Sequence, residues 1–544
     1  MEKNGGARCV LIKLFYGGAL LLFGWFFLAG ICSVQAKPLY LLPFGLLTLS
    51  LVALALFLTR RFGPRITDKL FWRLTLCVLA GLALLQLAAA YFLAVEPSWD
   101  FGGVYLSAYE YVTRGKVITH ENYFARFPNN TGLLLWEIAC FKVLKFLGVT
   151  APFFYGVAGI LMNLFVIDVS ILFTVLFCRR TWGNARAVLV LALCVLFTPY
   201  ILYSPIFYTD SMSLLFITLP LYLFSLYLGQ ERKGPRLVLA VSIGLLLAFG
   251  TKVKGSVAIL LVALLLYAFF NFGLKRAACL ALALAIPFAG FSVLFDRQVR
   301  RMGIIREEQA SVFQFPTEYW FYMGLKSPGG FNQEDFDYIY SLEDTEARKE
   351  AAREGIAQRL SDYGPLGLLD HLTKKAAFTF SDGTYFIGVQ LMRKPVRTTA
   401  LSPWFLAGTK DFQPYQAAAD AYHILILLLL LLGLALELRA KRGFGLTTLL
   451  YVTLFGVFLF LMMWETRSRY LLNFTPLMLI LAADALSRAG DFFHSHWRRR
   501  RPVPADKLPA DKLSADRTSA DGAPAGGSRY HLQNGEGDSN GNDG

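Results

Sequence analysis

The residues able to do chemistry stand at the ends of apolar runs. Asp100 lies in Ala94-Val-Glu-Pro-Ser-Trp-Asp-Phe-Gly-Gly103, directly after a run at 70–93 that is long enough to cross a bilayer. Its neighbour Trp99 is an aromatic of the kind that settles where membrane meets water. Asp210 follows Tyr208 in Tyr208-Thr-Asp-Ser211, and Lys252 and Lys254 share the turn Thr251-Lys-Val-Lys-Gly255. Glu465, Arg467, Arg469 and Tyr470 form Glu465-Thr-Arg-Ser-Arg-Tyr470, again beside an apolar run. Charges near lipid are costly unless they face a cavity or a partner. A fixed carboxylate close to a group of cations suits transfer from a lipid phosphate. The carboxylate takes the proton of an acceptor hydroxyl while the cations stabilise the departing phosphate. Arg offers that phosphate a bidentate fork and Lys a point charge.

Each residue also has a plainer reading. The lysines can snorkel at a helix end, the arginines can pair with Glu465, and Asp210 can favour the positive end of a helix. Asp168, in the middle of an apolar run, reads as a structural group with a partner on a neighbouring helix. Asn129-Asn-Thr131 and Asn473-Phe-Thr475 match a glycosylation sequon, a weak pattern that matters only in a secretory pathway.

The elements that must position these residues are membrane helices. Of 544 residues 56% are hydrophobic and only 17% charged, against about a quarter charged in soluble domains. The apolar runs are long and leucine-rich rather than alternating, which excludes a barrel. A net charge of +15 suggests nucleic acid, but Lys and Arg concentrate in short connectors between apolar runs, so no nucleic-acid partner is expected. Seven cysteines are scattered, mostly within apolar runs and without a CxxC pair, so neither a disulfide framework nor a zinc site is indicated.

Twelve spans are expected, at 16–32, 40–58, 70–93, 152–177, 187–202, 207–228, 237–250, 256–270, 277–295, 421–438, 446–463 and 471–486. With both termini cytoplasmic, the basic connectors around Arg60-Arg61, Arg179-Arg180, Arg232-Lys233, Lys275-Arg276, Lys441-Arg442 and Arg498 all fall inside. This parity requires that 133–147, apolar but carrying Glu137 and Lys142, lie along the membrane rather than cross it. The chemical residues then gather on the extracytoplasmic side.

The expected organisation is two N-terminal helices (1–69) and a membrane core (70–295) with a first external loop at 94–150. An external, mostly helical segment (296–420), the last membrane helices (421–497) and a disordered cytoplasmic tail (498–544) follow.

In order and on one side, these motifs resemble GT-C-fold membrane glycosyltransferases, similar to the protein-mannosyltransferase and aminoarabinose-transferase group (glycosyltransferase family 39-like). The resemblance covers roughly 70–486 through short ordered motifs. It implies that Asp100, the acidic residue of the first external loop, is the catalytic base. Tyr123-Phe-Ala-Arg-Phe-Pro-Asn-Asn130, which contains Arg126, resembles the aromatic-proline segment that leads into a juxtamembrane helix at 133–147. Tyr208 and Asp210 resemble the acidic turn, Lys252 and Lys254 the Thr-Lys-x-x-Gly turn near the lipid phosphate, and Glu465, Arg467, Arg469 and Tyr470 the late Glu-x-Arg-x-Arg-Tyr segment. Two features depart from the pattern: the two helices before residue 70 are extra, and the base stands without the paired acids of many relatives. The latter leaves metal use open, since a divalent ion prefers several oxygen ligands.

The expectation is thus an all-α polytopic membrane protein, an inverting glycosyltransferase of the bacterial plasma membrane. It would take a polyprenyl-phosphate-linked sugar as donor and a glycan, lipid or protein as acceptor, with no cofactor firmly implied and a divalent metal left open. A lipid or polysaccharide flippase, and a catalytically inactive scaffold of the same fold, are the alternatives.

Overall fold

The computed structural model describes residues 3–440 and 443–500, with side chains described for 10–440 and 443–492. The described chain is helical throughout, and among the described residues the one β-type pairing is an isolated antiparallel bridge between Val95 and Pro395. It is an all-α polytopic membrane protein. Residues Met1–Arg488 form one compact unit. Ala489–Gly544 form a second unit, of which the end of the helix Thr475–Arg500 is described. The expected disordered tail, from residue 501 on, lies outside the described residues.

Leucine and alanine dominate the runs, and their unbranched or small side chains lose little freedom in a helix. Thr67 caps the helix Asp68–Phe92 by accepting from the Leu70 amide, and Pro152 opens Pro152–Trp182 where its missing N–H costs nothing. Pro38–Phe62 exposes Leu42, Leu46, Leu49, Leu54 and Phe57, an apolar surface of the kind that lipid covers.

Among the described residues ten helices are long and apolar enough to cross a membrane, against the twelve expected. The two shortfalls are the expected spans at 187–202 and 256–270, which are shorter apolar helices. The first is Asn184–Leu196. It ends ahead of Pro199, which supplies no amide to the ladder and opens the short helix Pro199–Leu202 instead. The second opens as a 3₁₀ turn, Gly255–Val257, and runs on as Ala258–Asn271.

The stretch expected to lie along the membrane is a helix, Thr131–Phe146, and it is not among the ten. It buries Leu133, Leu134, Ile138 and Phe141 while Val143 and Phe146 stay exposed. Its first turn rests on the backbone at Lys252. A Cβ on Gly132 would come 2.1 Å from the Lys252 carbonyl oxygen, so no larger residue fits.

The segment 296–420 begins and ends inside helices. Asp296 belongs to the helix Leu274–Arg301, and Phe412–Arg439 begins well before residue 421. Between them Thr345–Phe380 is the principal element, interrupted at Gly364 (φ 54°) ahead of Pro365. The N-terminal helix Lys3–Ile31 packs along its second half. Trp25 Nε1 donates to Thr373 Oγ1 at 3.2 Å, and Phe26 stacks on Phe380 with ring centroids 5.1 Å apart.

The basic connectors meet at the opposite end of the bundle. Arg186 and Arg488 reach the buried Asp484 at 3.2 and 3.3 Å, Arg488 also pairs with Glu437, and Arg179 pairs with Asp68 at 2.9 Å. In mid-bundle Gln86 donates to Asp168 at 3.1 Å, the partner on a neighbouring helix that a half-buried carboxylate there needs.

Candidate functional site

Seven separate stretches of chain close around one cavity of about 560 Å³. Its lining includes Asp100, Tyr208, Asp210, Lys254, Glu465, Arg467, Arg469 and Tyr470, eight of the ten residues singled out from the sequence. Each stands at or next to the end of a helix, where a turn aims a side chain without interrupting an apolar run.

Asp100 is in the first turn of Trp99–Arg114. Trp99, which opens that helix, holds φ at +48°, in the left-handed region that a bulky residue avoids. Such strain persists only where the surroundings over-determine it. Here Gly102 packs the turn against Pro97 so closely that a Cβ would come 2.8 Å from the Pro97 backbone. The preceding residues are pinned too: the Glu96 amide donates to Lys394 O at 2.8 Å and the Val396 amide to Ala94 O at 2.9 Å. Tyr123 donates to Asp100 Oδ1 at 2.8 Å, Asn130 donates to the Tyr123 hydroxyl at 2.6 Å, and Tyr208 donates to Asn130 Oδ1 at 3.2 Å. Burial, then the Asp100 charge, pushes the Tyr123 hydroxyl well above its usual range, so it remains a donor.

The cations face the carboxylates across the cavity. Asp210, 1% exposed, accepts from Lys254 Nζ at 2.5 Å and stands 3.5 Å from an Arg469 guanidinium nitrogen. Burial lowers the affinity of the Lys254 amine for its proton while Asp210 opposes that. Arg469 also lies 5.2 Å above the Trp99 ring, and Arg393 lies 4.7 Å from the same ring. Arg467 sits over Phe378 and Phe386, at 4.4 and 4.5 Å. Among the described residues neither Arg393 nor Arg467 has a carboxylate partner, so the cavity is cationic on balance. Glu465, raised above the usual carboxylate range by burial, accepts from Tyr470 at 3.0 Å.

Two expected residues are elsewhere. Lys252, in the last turn of Lys233–Val253, points away from Lys254 and binds both oxygens of Asp296 at 2.7 and 2.8 Å. The backbone turns extended at Lys254, so the two lysines diverge. Arg126 stacks on Tyr340 at 4.7 Å and does not line the cavity. Asn473 of the second sequon is fully buried, which leaves no room for a glycan.

Sequence reasoning missed Arg393, Phe386 and Asp382. Asp382 accepts from the amides of Thr384 and Phe386 at 2.9 and 2.8 Å, and from Ser468 Oγ at 2.7 Å between the two arginines. It thereby holds Tyr385 and Phe386 at positive φ, 54° and 67°. No spacing signal marks these residues: Arg393 and Phe386 reach the cavity, and Asp382 supports it, through pairing with distant segments. Among the described residues no group of three or more His, Cys, Asp or Glu is placed to hold a metal ion.

Fold and cavity together define a polytopic α-helical membrane protein with an ionic pocket at one end of its bundle. The model of the family described as conserved hypothetical integral membrane protein matches residues 38–489, and the chain belongs to that family. A search of curated proteins finds no match. Solved structures that resemble it include oligosaccharyltransferase AglB from Archaeoglobus fulgidus, in complex with an inhibitory peptide and a dolichol-phosphate. Identity there is 13% and the TM-score 0.40, over 82% of this chain and 54% of that one. A second is the Archaeoglobus fulgidus oligosaccharyltransferase tethered with an acceptor peptide (13%, TM-score 0.42, 83% of this chain and 53% of that one). A third is ArnT from Cupriavidus metallidurans bound to undecaprenyl phosphate (12%, TM-score 0.31, 81% and 82%). The chain spans about half the length of the archaeal oligosaccharyltransferases it matches.

Proposed function

We propose that the chain is an inverting membrane glycosyltransferase of the GT-C kind, which moves a sugar from a polyprenyl phosphate to an acceptor hydroxyl on the extracytoplasmic side. The observation that carries this reading is one cavity lined by Asp100, fixed by Tyr123, and by four cations, two of them without a carboxylate partner. In the proposed step the acceptor hydroxyl gives its proton to Asp100. The acceptor oxygen forms a bond to the anomeric carbon, and the bond from that carbon to the phosphate oxygen breaks. The electron pair leaves with the phosphate, whose charge Arg467, Arg469, Lys254 and Arg393 offset. Displacement without a protein nucleophile inverts the anomeric configuration.

In this reading Tyr208 and Asp210 shape the pocket, Asp210 by holding Lys254 and Arg469 in place. Glu465 and Tyr470 line the pocket beside the arginines. Arg126 and Lys252 lie outside the cavity and take no part in this step. The active side follows from the basic connectors at the far end of the bundle, which by the positive-inside bias face the cytoplasm.

The test is sugar transfer in reconstituted vesicles supplied with polyprenyl-phosphate sugars and candidate acceptors. The expected product has the opposite anomeric configuration to the donor. Movement of the lipid between leaflets without sugar transfer would overturn the reading in favour of a flippase.

A further inference from the structure

The displaced Lys252 marks a second cavity, about 600 Å³, between the Pro128–Asn130 turn, the end of Lys233–Val253 and the helix Leu274–Arg301. One stripe of that last helix lines it. Phe288, Ser292, Asp296 and Arg300 recur every four residues and therefore share a face. Over about 18 Å of helix the stripe grades from aromatic through hydroxyl to charged. The neighbouring faces expose Ile286, Val293 and Leu294, 65, 65 and 66% exposed, so the helix stands at the lipid edge of the bundle. The groove is thus apolar at its deep end, polar at its outer end and bordered by lipid. That is the polarity of an amphiphile set upright in a membrane.

Its charge selects the head. In the first cavity two arginines lack carboxylate partners. Here Lys252 is held by both oxygens of Asp296, and the two other charged lining residues, Arg300 and Glu307, are of opposite sign. An anionic head finds no unpaired cation at Lys252. A zwitterionic head would have to break an ion pair with both hydrogen bonds made. A hydroxyl-rich head can hydrogen-bond to the pair as it stands, and to Ser292 and Asn129. Asn129 lines both cavities, and Asn130 beside it belongs to the chain of hydrogen bonds that reaches Asp100.

We infer that this groove binds the head of an uncharged, hydroxyl-rich glycolipid, entering from the bilayer and reaching the first cavity past Asn129. Binding stands on the groove alone; its role as the acceptor's site rests on the transferase reading.

The test uses the full chain in nanodiscs with three photoactivatable lipids of identical acyl chains: a glycosyl diacylglycerol, a phosphatidylethanolamine and a phosphatidylglycerol. Crosslinked peptides are mapped by mass spectrometry. The glycosyl lipid should label the peptide containing 288–300 about tenfold more than either other lipid, the worth of one hydrogen bond to a charged group. Ser292→Trp, which fills the groove from its lipid edge, should abolish that labelling while polyprenyl phosphate binding persists. Equal labelling by all three lipids, preference for a charged lipid, or labelling unchanged by Ser292→Trp would each overturn the inference. Capture without sugar transfer would support this site and sink the transferase reading, whereas transfer without capture would sink this site alone.

Discussion

Two guanidinium groups approach one strained tryptophan: Arg393 and Arg469 lie 4.7 and 5.2 Å from the Trp99 ring. The ring's negative face offsets part of their repulsion, and Asp210 offsets part of the Arg469 charge. Arg393 stays exposed to solvent and has no carboxylate at ion-pair distance. Partial loss of hydration and the charge of Arg469 lower its affinity for its proton, while the Asp100 charge raises it. An anion in the cavity relieves this arrangement. Arg393→Met should therefore weaken polyprenyl phosphate binding about tenfold to a hundredfold, the range for a lost charge-assisted hydrogen bond, and leave the thermal midpoint unchanged. Binding of equal strength in the variant, measured in detergent by displacement of a fluorescent lipid phosphate, would remove Arg393 from the site. Asp100 was legible because it follows a membrane run and precedes two glycines. Arg393 was not, because it lies in a stretch of ordinary polar composition and meets Asp100 only through the Val95–Pro395 bridge.

At the scale of elements, close approach of backbones decides what each segment tolerates. The helix Thr131–Phe146 touches the Lys252 backbone at Gly132, where any side chain collides with a main-chain oxygen rather than with a movable group. Gly132→Val should cost about 1–3 kcal/mol or more, through overpacking that backbone alone can relieve. A thermal midpoint in detergent equal to wild type would show that this contact is not made. A second contact fixes the turn that carries Glu465. The Glu465 amide donates to Trp320 O at 3.1 Å and the Thr466 amide to Gly329 O at 2.8 Å, while Lys375 Nζ donates to Gly324 O at 2.7 Å. Lys375 is fully buried, and burial pushes its amine down to about 7 although Glu465 opposes the shift. Between about pH 7 and the unfolded value near 10.4 the unfolded chain binds the extra proton, so stability rises with pH across that window. Lys375→Met should flatten the rise of the midpoint between pH 7 and 9, and an unchanged slope would contradict the assignment. The positions of the long helices were readable from hydropathy. The early end of the helix Asn184–Leu196, the extension of Leu274–Arg301 past Asp296 and the inward turn of Lys254 were not, since packing rather than composition sets them.

For the whole molecule, polarity is divided between the ends of the bundle. One end holds a cluster of inner ion pairs around Asp484 and the other holds the two cavities. The loop-charge pattern anticipated which turns would meet, because helices of alternating direction must bring every second connector to the same side. It did not anticipate that those turns would build two chambers of different electrostatic character, one cationic on balance and one with its charges balanced, with Lys254 in the first and Lys252 in the second. On the proposed reading, that division would bring an anionic and an uncharged lipid to one carboxylate from different sides. The central claim is that Asp100 takes the acceptor's proton, and it is tested most directly by comparing wild type with Asp100→Asn in reconstituted vesicles. Sugar transfer should fall by about 10²–10⁴-fold, the usual contribution of a general base, while polyprenyl phosphate binding is retained. Equal transfer by both proteins would contradict the account.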